Sequence, residues 1–310
     1  MVSKKIKKDE VEASSCPYLT IAVLMIFVAS GCAMTSLVSD DAYGYSLVDE
    51  DGFYYTTSGT TATVTGASRQ SMVNVEIPNL LTYSGRTYTV TGIGNYAFQD
   101  CSFTNLTINT LYVKIGTGAF KRSTMVNVVF KGNLSVDKEA FYGATFVNAT
   151  FLGPVISVGD SAFARSNISK VPLGDGLTSI GTEAFYGTSL AEVSIPDSVT
   201  TIGARAFANT QLKSVNLGKS VQKIGTGAFA NTRLTEVKIP LGAMLSGEIS
   251  ESAFDSGVKV TYGVTGTVAP TKTQSEAREN MRVAKAMIMV PLILILFFWR
   301  RSRKKRRLSG

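Results

Sequence analysis

The absence of histidine limits the chemistry available to this 310-residue chain. Histidine is the usual general base near neutral pH and the commonest side-chain ligand of a metal ion. A Ser-His-Asp triad and a zinc site are therefore excluded. The three cysteines, Cys16, Cys32 and Cys101, show no CxxC spacing and give no disulfide framework. Since no carboxylate pair or nucleophile–base pair recurs at a specific place, we expect a protein that is not an enzyme and that has no metal site and no cofactor.

The glycine-rich stretch Gly225-Thr226-Gly227 could suggest a phosphate-binding loop. It lacks the third glycine, the following helix and the Lys-Ser/Thr pair that a nucleotide site uses. We interpret it as a turn.

The net charge of +8 is carried by the two ends of the chain. Residues 1–17 hold four lysines and three acidic residues, and residues 300–310 hold seven basic residues and no acidic one. The segment between them holds 20 basic and 20 acidic residues and is neutral. A neutral domain without a basic face binds the phosphate backbone poorly, so we expect no nucleic-acid partner.

The elements that would position any site are set by a repeat. The dipeptide Ala-Phe recurs with its phenylalanine at Phe98, Phe120, Phe141, Phe163, Phe185, Phe207, Phe229 and Phe254, at spacings of 22, 21, 22, 22, 22, 22 and 25 residues. Five residues before each phenylalanine stands Ile or Val, and glycine follows it in six of the eight coils. A unit this short cannot bury its own apolar side, so the repeat predicts an array stabilised by stacking of neighbouring coils.

Each coil also carries a short alternating strand, as in Leu234-x-x-Val237-x-Ile239. Strands that recur once per coil should align in parallel ladders, each adding about 4.8 Å along the axis. The glycine suits a tight turn. Ala149 at a core valine position and Pro172 at a strand position depart from the pattern, so the third and fourth coils should be looser or bulged.

The pattern I-G-x-x-A-F-x-x-x-x-L-x-x-V-x-I-P over residues 72 to about 254 resembles the BspA-like leucine-rich repeats. Residues 51–66 and 77–98 resemble the N-terminal capping hairpins of that family. The resemblance implies a β-rich, right-handed solenoid with parallel strand ladders and short helical turns, with caps over residues 43–71 and a solenoid with its C-terminal cap over residues 72–263. It also implies display on a cell surface and an adhesive or matrix-binding role.

Two apolar stretches flank the repeats. Residues 18–34 carry no charge and fit a cleaved signal peptide or a retained transmembrane signal anchor, while Gly31-Cys32 resembles a lipobox, so Cys32 is a candidate for lipidation. Residues 283–299 fit a transmembrane helix if Lys285 reaches the interface, with a buried soluble helix as the alternative.

The basic residues fix the expected topology. The N-terminus, residues 1–17, and the polybasic tail, residues 300–310, should both stay in the cytoplasm because positive flanks are retained there. Residues 264–282 form the stalk that joins the repeats to the second segment. We therefore expect the protein in the plasma membrane with its repeat domain outside the cell.

Candidate binding residues are those that alternation turns outward on the strands, with two basic residues beside them. They are Asn105, Thr107, Asn127, Asn148, Thr150, Lys170, Glu192, Ser194, Lys213, Asn216, Arg233, Glu236 and Lys238. The alternative is a solvated sheet face without a partner. Four sequons give possible glycosylation sites at Asn105, Asn133, Asn148 and Asn167, and glycans on Asn105 and Asn148 would cover this strip.

Two functions fit the sequence. The first is a membrane-anchored, outward-facing module that binds an extracellular protein or glycan in adhesion or recognition. The second is a structural, envelope-organising membrane protein that self-associates through its repeats.

Overall fold

The computed structural model describes residues 4–5, 47–240, 243 and 248–263. Outside the described residues lie the apolar segments 18–34 and 283–299, Cys32, the stalk 264–282 and the tail 300–310. In the part that the structure describes, no helix is long and apolar enough to cross a membrane.

Antiparallel strands close the N-terminal end of the solenoid. β2 (Leu47–Val48), β3 (Phe53–Ser58) and β4 (Thr61–Ala67) pair in chain order. β6 (Leu80–Tyr83) and β7 (Arg86–Ile93) form a second hairpin, and β1 (Lys4–Lys5) pairs in parallel with β6. Both hairpins belong to the sheet that runs on into the coils, since β4 pairs with β7.

A long parallel ladder joins the Ile/Val residues that precede each Ala-Phe pair. After β7 it contains β9 (Tyr112–Ile115), β11 (Asn133–Val136), β13 (Val155–Val158), β14 (Ser179–Ile180), β16 (Thr201–Ile202), β18 (Lys223–Ile224) and β20 (Glu248–Ile249). Equivalent residues of successive strands are paired, so Ile202 is opposite Ile180 on one side and Ile224 on the other. The predicted solenoid with parallel ladders is confirmed.

A second set of parallel strands follows the Ala-Phe pairs. β5 (Ser71–Ile77), β8 (Ser102–Ile108), β10 (Thr124–Phe130) and β12 (Thr145–Phe151) form one four-stranded sheet. β15 (Glu192–Ser194) pairs with β17 (Ser214–Asn216), and β19 (Glu236–Ile239) pairs with β21 (Lys259–Tyr262).

This second set is interrupted in the fourth coil, where no strand of the set is formed. Pro172 has no N–H to give to a ladder, and its carbonyl accepts the N–H of Val155 at 2.8 Å. Leu173 makes an isolated bridge to Val155. Ala149, in contrast, keeps its place in β12, so of the two departures in the sequence the proline is the one that breaks the ladder.

The Ala-Phe corners form a third row of hydrogen bonds between coils. The N–H groups at the phenylalanine and two residues to either side donate to the next coil, as Phe120 N does to Ala140 O at 2.7 Å. The N–H groups between them donate three residues back in the same coil, as Lys121 N does to Gly118 O at 3.0 Å. These corners therefore keep their buried main-chain donors paired without a strand.

The corners are not the short helical turns that the resemblance implied. In the first seven coils, the residues two before and two after the phenylalanine have positive φ, as Tyr96 (56°) and Asp100 (59°) do. An α-helix needs consecutive right-handed residues. A left-handed residue at every fourth position turns the N–H groups alternately toward the next coil and back, so the helix cannot continue.

A continuous column of phenylalanine rings fills the core behind the corners. From Phe120 to Phe254, successive rings are stacked with centroids 5.0–5.3 Å apart. Phe98 is tilted on Phe120 at 5.2 Å, and Phe53 of the N-terminal hairpin packs edge-on against Phe98 at 5.4 Å. Phe53 thus covers the N-terminal end of the column.

A glycine precedes the corner in six of the eight coils, and close stacking of the coils accounts for it. A Cβ on Gly181 would lie 2.4 Å from the carbonyl carbon of Gly159, and one on Gly203 would lie 2.6 Å from the nitrogen of Thr182. Neither glycine has positive φ. The sequence predicted a tight turn here, but the stronger constraint is contact between neighbouring backbones.

Candidate binding surfaces

Asparagine side chains form a hydrogen-bonded ladder across the four-stranded sheet. Asn148 Nδ2 donates to Asn127 Oδ1 at 2.8 Å, Asn127 Nδ2 donates to Asn105 Oδ1 at 2.7 Å, and Asn105 Nδ2 donates to Asn74 Oδ1 at 2.6 Å. These residues are opposite one another in the strand register. The structure thus joins three candidate residues and adds Asn74.

The residue Asn74 was missed because counting began at the first Ala-Phe pair. The signal was nonetheless present, since Met-Val-Asn-Val occurs at residues 72–75 and again at residues 125–128. The second copy lies in β10, two strands away from β5. A search for partial repeats upstream of the first complete coil would have found the start of the sheet.

Two columns flank the ladder, and together they define the asparagine face. One column contains Val73, Thr104, Val126 and Val147, and the other contains Glu76, Thr107, Val129 and Thr150. Val73 and Val147 are 59% and 61% exposed. Glu76, the charged residue of the face, accepts a hydrogen bond from Asn109 at 2.7 Å. The face is therefore polar, nearly uncharged and partly apolar.

All thirteen candidate binding residues lie at the surface, exposed or half-buried. They divide into two groups, because the missing strand of the fourth coil separates β12 from β15. Asn105, Thr107, Asn127, Asn148 and Thr150 belong to the asparagine face. Those of the later coils carry mixed charge, and Lys170 lies in the interruption itself. Their role in binding stays a prediction.

A groove of about 460 Å³ lies in the sixth and seventh coils. It is lined by Val215, Asn216, Leu217, Lys219, Lys238, Ile239, Pro240 and Gly263. Two candidate residues, Asn216 and Lys238, are in this lining. The groove follows from a gap between β17 and β19, which belong to different sheets.

Charges in the groove are unevenly neutralised. Lys219 Nζ lies 3.0 Å from Asp197 Oδ2, and its main-chain N–H donates to Asp197 Oδ1 at 2.9 Å. These two hydrogen bonds, the main-chain one first, lower the pKa of the Asp197 carboxyl. No ion pair of Lys238 occurs among the described residues, and no acidic residue is part of the lining.

The corners carry charged pairs that the strand columns do not include. Arg122 donates to both carboxylate oxygens of Asp100 at 2.7 Å, and these hydrogen bonds lower the pKa of Asp100. Arg205 lies 4.6 Å from the ring centroid of Tyr186 and forms an ion pair with Glu183. Such pairs join neighbouring coils. We therefore assign them to the repeated framework of the solenoid, called the frame below, and not to a binding surface.

The four sequon asparagines differ in what their amides do. Asn105 Nδ2 and Asn148 Nδ2 are ladder donors. Asn167 Nδ2 donates to the Phe146 carbonyl at 2.8 Å, and its Oδ1 accepts the Phe146 N–H at 2.7 Å, which closes the edge of β12. Asn133 is exposed at the start of β11. Whether any sequon is used stays a prediction.

One further buried polar group lies in the N-terminal cap. Asp49 accepts the hydroxyl of Tyr55 at 2.8 Å and the N–H groups of Asp51 and Phe53 at 3.0 and 2.9 Å. Burial, and then the Asp49 carboxylate, raise the pKa of Tyr55. The interaction holds the turn that places Phe53 on the phenylalanine column, so its role is structural.

Comparisons with known proteins agree with this architecture. Residues 70–180 and 134–261 match the family model of the BspA type leucine-rich repeat region, which is built of six copies. A comparison with curated protein sequences gives no significant match.

Three solved structures of bacterial proteins align with this chain. A leucine-rich repeat protein of Bacteroides ovatus aligns over 72% of this chain and 59% of its own length, with 22% identity and a TM-score of 0.45. A leucine-rich cell surface protein of Faecalibacterium prausnitzii aligns over 74% of this chain and 97% of its own length, with 18% identity and a TM-score of 0.35. The pneumococcal vaccine antigen PcpA aligns over 71% of this chain and 50% of its own length, with 18% identity and a TM-score of 0.34.

The family match covers more than half of the 310 residues and falls on the coils themselves. It includes the Ala-Phe corners, both sets of ladders and the second-set strands that form the asparagine face. This chain belongs to the BspA type leucine-rich repeat family.

Proposed function

We propose that this protein is a membrane-anchored module whose solenoid faces outward and binds an extracellular protein or glycan without catalysis. The observation that carries the proposal is the contrast between a repeated frame and varied outward residues. The corner hydrogen bonds and the phenylalanine column recur from coil to coil. The outward columns change from an uncharged asparagine ladder to mixed charge.

The asparagine face is the first candidate surface. Its ladder uses one amide hydrogen of each of Asn105, Asn127 and Asn148, and the carbonyl oxygens of Asn74, Asn105 and Asn127. The second amide hydrogen of each side chain is left for a partner. Exposed Val73 and Val147 offer apolar contact beside these donors. Polar donors next to apolar contact suit a neutral glycan or a polar protein segment.

The membrane topology rests on the apolar and basic segments at the chain ends, residues 18–34 and 283–310. It requires that the pairing of β1 with β6 be dispensable. Lys4–Lys5 and the solenoid are on opposite sides of residues 18–34 in the sequence, so the pair cannot form when this segment spans the bilayer or is cleaved. Without β1, β6 is still paired with β7 through four residue pairs, so the second hairpin keeps its place in the sheet.

Binding can be tested with the full-length chain in detergent, applied to collagen, to mucin and to a neutral glycan array. We expect saturable binding that Thr150→Arg abolishes, because it places a long charged side chain on the asparagine face. Thr182→Arg, at an exposed corner of the fifth coil, is the matched control and should bind normally. Equal binding by both variants would rule out this face.

The second candidate function is a structural protein that self-associates through its repeats. The exposed valines and the uncharged ladder also favour this reading, since parallel asparagine ladders can pack against a second sheet. Sedimentation of the full-length protein in detergent separates the two. Ordered self-association without binding to any surface would support the structural function.

A further inference from the structure

The groove in the sixth and seventh coils has the composition of a site for an anion attached to an apolar body. Its apolar lining residues are Val215, Leu217, Ile239 and Pro240, and its polar side chains are Asn216, Lys219 and Lys238. The volume of about 460 Å³ lies within the range of about 300–1,000 Å³ that is typical of ligand sites.

Main-chain donors add to this composition because the ladder opens here. In the preceding pair of coils, Ile195 N donates to Asn216 O at 2.8 Å. The equivalent atoms one coil later are Leu217 N and Lys238 O, and no hydrogen bond joins them in the described part of the chain. Leu217 is 9% exposed and belongs to the lining of the groove. An acceptor on a ligand in the groove would supply a partner for this N–H.

The charged side chains of the groove indicate which class of ligand fits it. The lining holds two ammonium groups and no carboxylate, and Asp197 neutralises Lys219 alone. Glu236, two residues before Lys238, is opposite Lys259 in the pairing of β19 with β21. Among the described residues, Lys238 has no ion-pair partner. Its positive charge therefore lies beside apolar side chains and amide donors of the groove.

We propose that this groove binds an acidic saccharide through a uronic-acid residue. The carboxylate would lie at Lys238, the hydroxyl groups would bond to Asn216 and to the N–H of Leu217, and the apolar face of the ring would pack on the half-buried Val215 and Pro240. The proposal rests on the proposed binding function and names the ligand class for one of its surfaces.

The test uses the full-length protein in detergent and measures binding of digalacturonic acid by calorimetry. Neutral digalactose and an acetylated dipeptide with a free carboxylate are the comparison probes. We expect digalacturonic acid to bind at least tenfold more tightly than either, and the affinity to fall as salt rises. Stronger binding of the dipeptide, or equal binding of the neutral disaccharide, would overturn the proposal.

Variants locate the site. Lys238→Ala should weaken digalacturonic acid about tenfold, as expected for the loss of one charge-assisted hydrogen bond. Lys138→Ala is the control, because Lys138 is an exposed lysine at the third corner, outside the groove. Equal loss in both variants, or no binding by the unmodified protein, would overturn the proposal. The assay needs no cells, so a negative result leaves the outward-facing topology to its own test.

Discussion

The amide of Asn148 donates a 2.8 Å hydrogen bond to Asn127, a residue 21 positions earlier in the chain and one coil away in space. The bond exists because the strands of successive coils are in register, so that equal positions meet. Positions that the frame does not use then form continuous columns at the surface. Function can reside in these columns without any change to the core.

Removing the side chain of Asn127, in the middle of the asparagine ladder, should destabilise the protein modestly. In Asn127→Ala, Asn148 loses its acceptor and Asn105 loses its donor. We expect the free energy of unfolding to fall by about 1 kcal/mol, since both groups can turn to water. Urea unfolding of the full-length protein measures it, with Lys170→Ala as the control outside the ladder. A loss above about 3 kcal/mol would mean that the ladder belongs to the core.

Removal of a ring from the phenylalanine column should be severe. Phe163 is fully buried, with ring centroids of its neighbours at 5.0 and 5.3 Å. Phe163→Ala should cost about 3–5 kcal/mol, or prevent folding, because it leaves a cavity between two coils. Phe163→Leu should cost less than Phe163→Ala because it fills part of the space. Guanidinium unfolding that showed no difference between Phe163→Ala and the unmodified protein would contradict the stacked core.

Glycine substitution separates close stacking from flexibility. Gly181→Ala places a Cβ 2.4 Å from the preceding backbone, whereas a Cβ on Gly257 meets nothing within 4 Å. Neither glycine has positive φ. Gly181→Ala should therefore lower the thermal midpoint clearly, and Gly257→Ala should leave it unchanged or raise it slightly. Similar midpoints for the two variants would show that the coils have room to separate.

The buried Tyr55 should make the cap sensitive to high pH. Its pKa is raised above the ordinary value of 10.0, first by burial and then by Asp49. The folded state holds this proton while the unfolded state releases it above pH 10, so this stability is complete below pH 10 and is lost as the pH rises.

Tyr55→Phe removes this titration and is its direct test. Between pH 10.5 and 11.5, its unfolding free energy should fall less steeply than that of the unmodified protein, by about 1.4 kcal/mol per pH unit. Tyr54→Phe, with a half-buried ring on the same strand, is the control and should keep the full slope. Parallel curves for Tyr55→Phe and the unmodified protein would show that Tyr55 ionises freely in the folded state.

The period of the sequence was sufficient to predict the coils, a parallel ladder of the strands that follow the Ala-Phe pairs, and the outward columns. The second ladder, through Ile180, Ile202 and Ile224, was not predicted, because two-residue strands are too short to show an alternating pattern. The sequence revealed the left-handed corners only in part, since glycine and asparagine occur at some of these positions, such as Gly227 and Asn231, whereas Tyr96, Glu183 and Arg205 have no preference for positive φ. Hydrogen bonds between coils impose that conformation, and such bonds are visible only once the coils are stacked.

The candidate sites were predictable to different degrees. The alternation of the strands predicted that three asparagines point outward, namely Asn105, Asn127 and Asn148. Their hydrogen bonds to one another, and the place of Asn74 as the fourth residue of the ladder, are known only from the pairing of the strands. Pro172 indicated the interruption because a proline cannot donate to a ladder. The groove has no comparable signal, because it depends on the separation of β17 from β19, and the residues between these strands keep the normal spacing.

The central claim is that the repeats face outward from a membrane-anchored chain. Its most direct test is protease treatment of intact cells that express the protein with a tag at each end, followed by immunoblotting with and without permeabilisation. We predict loss of the repeats while the C-terminal tag, and the N-terminal tag if residues 18–34 are retained, stay protected until the cells are permeabilised. Protection of the repeats in intact cells would contradict the account.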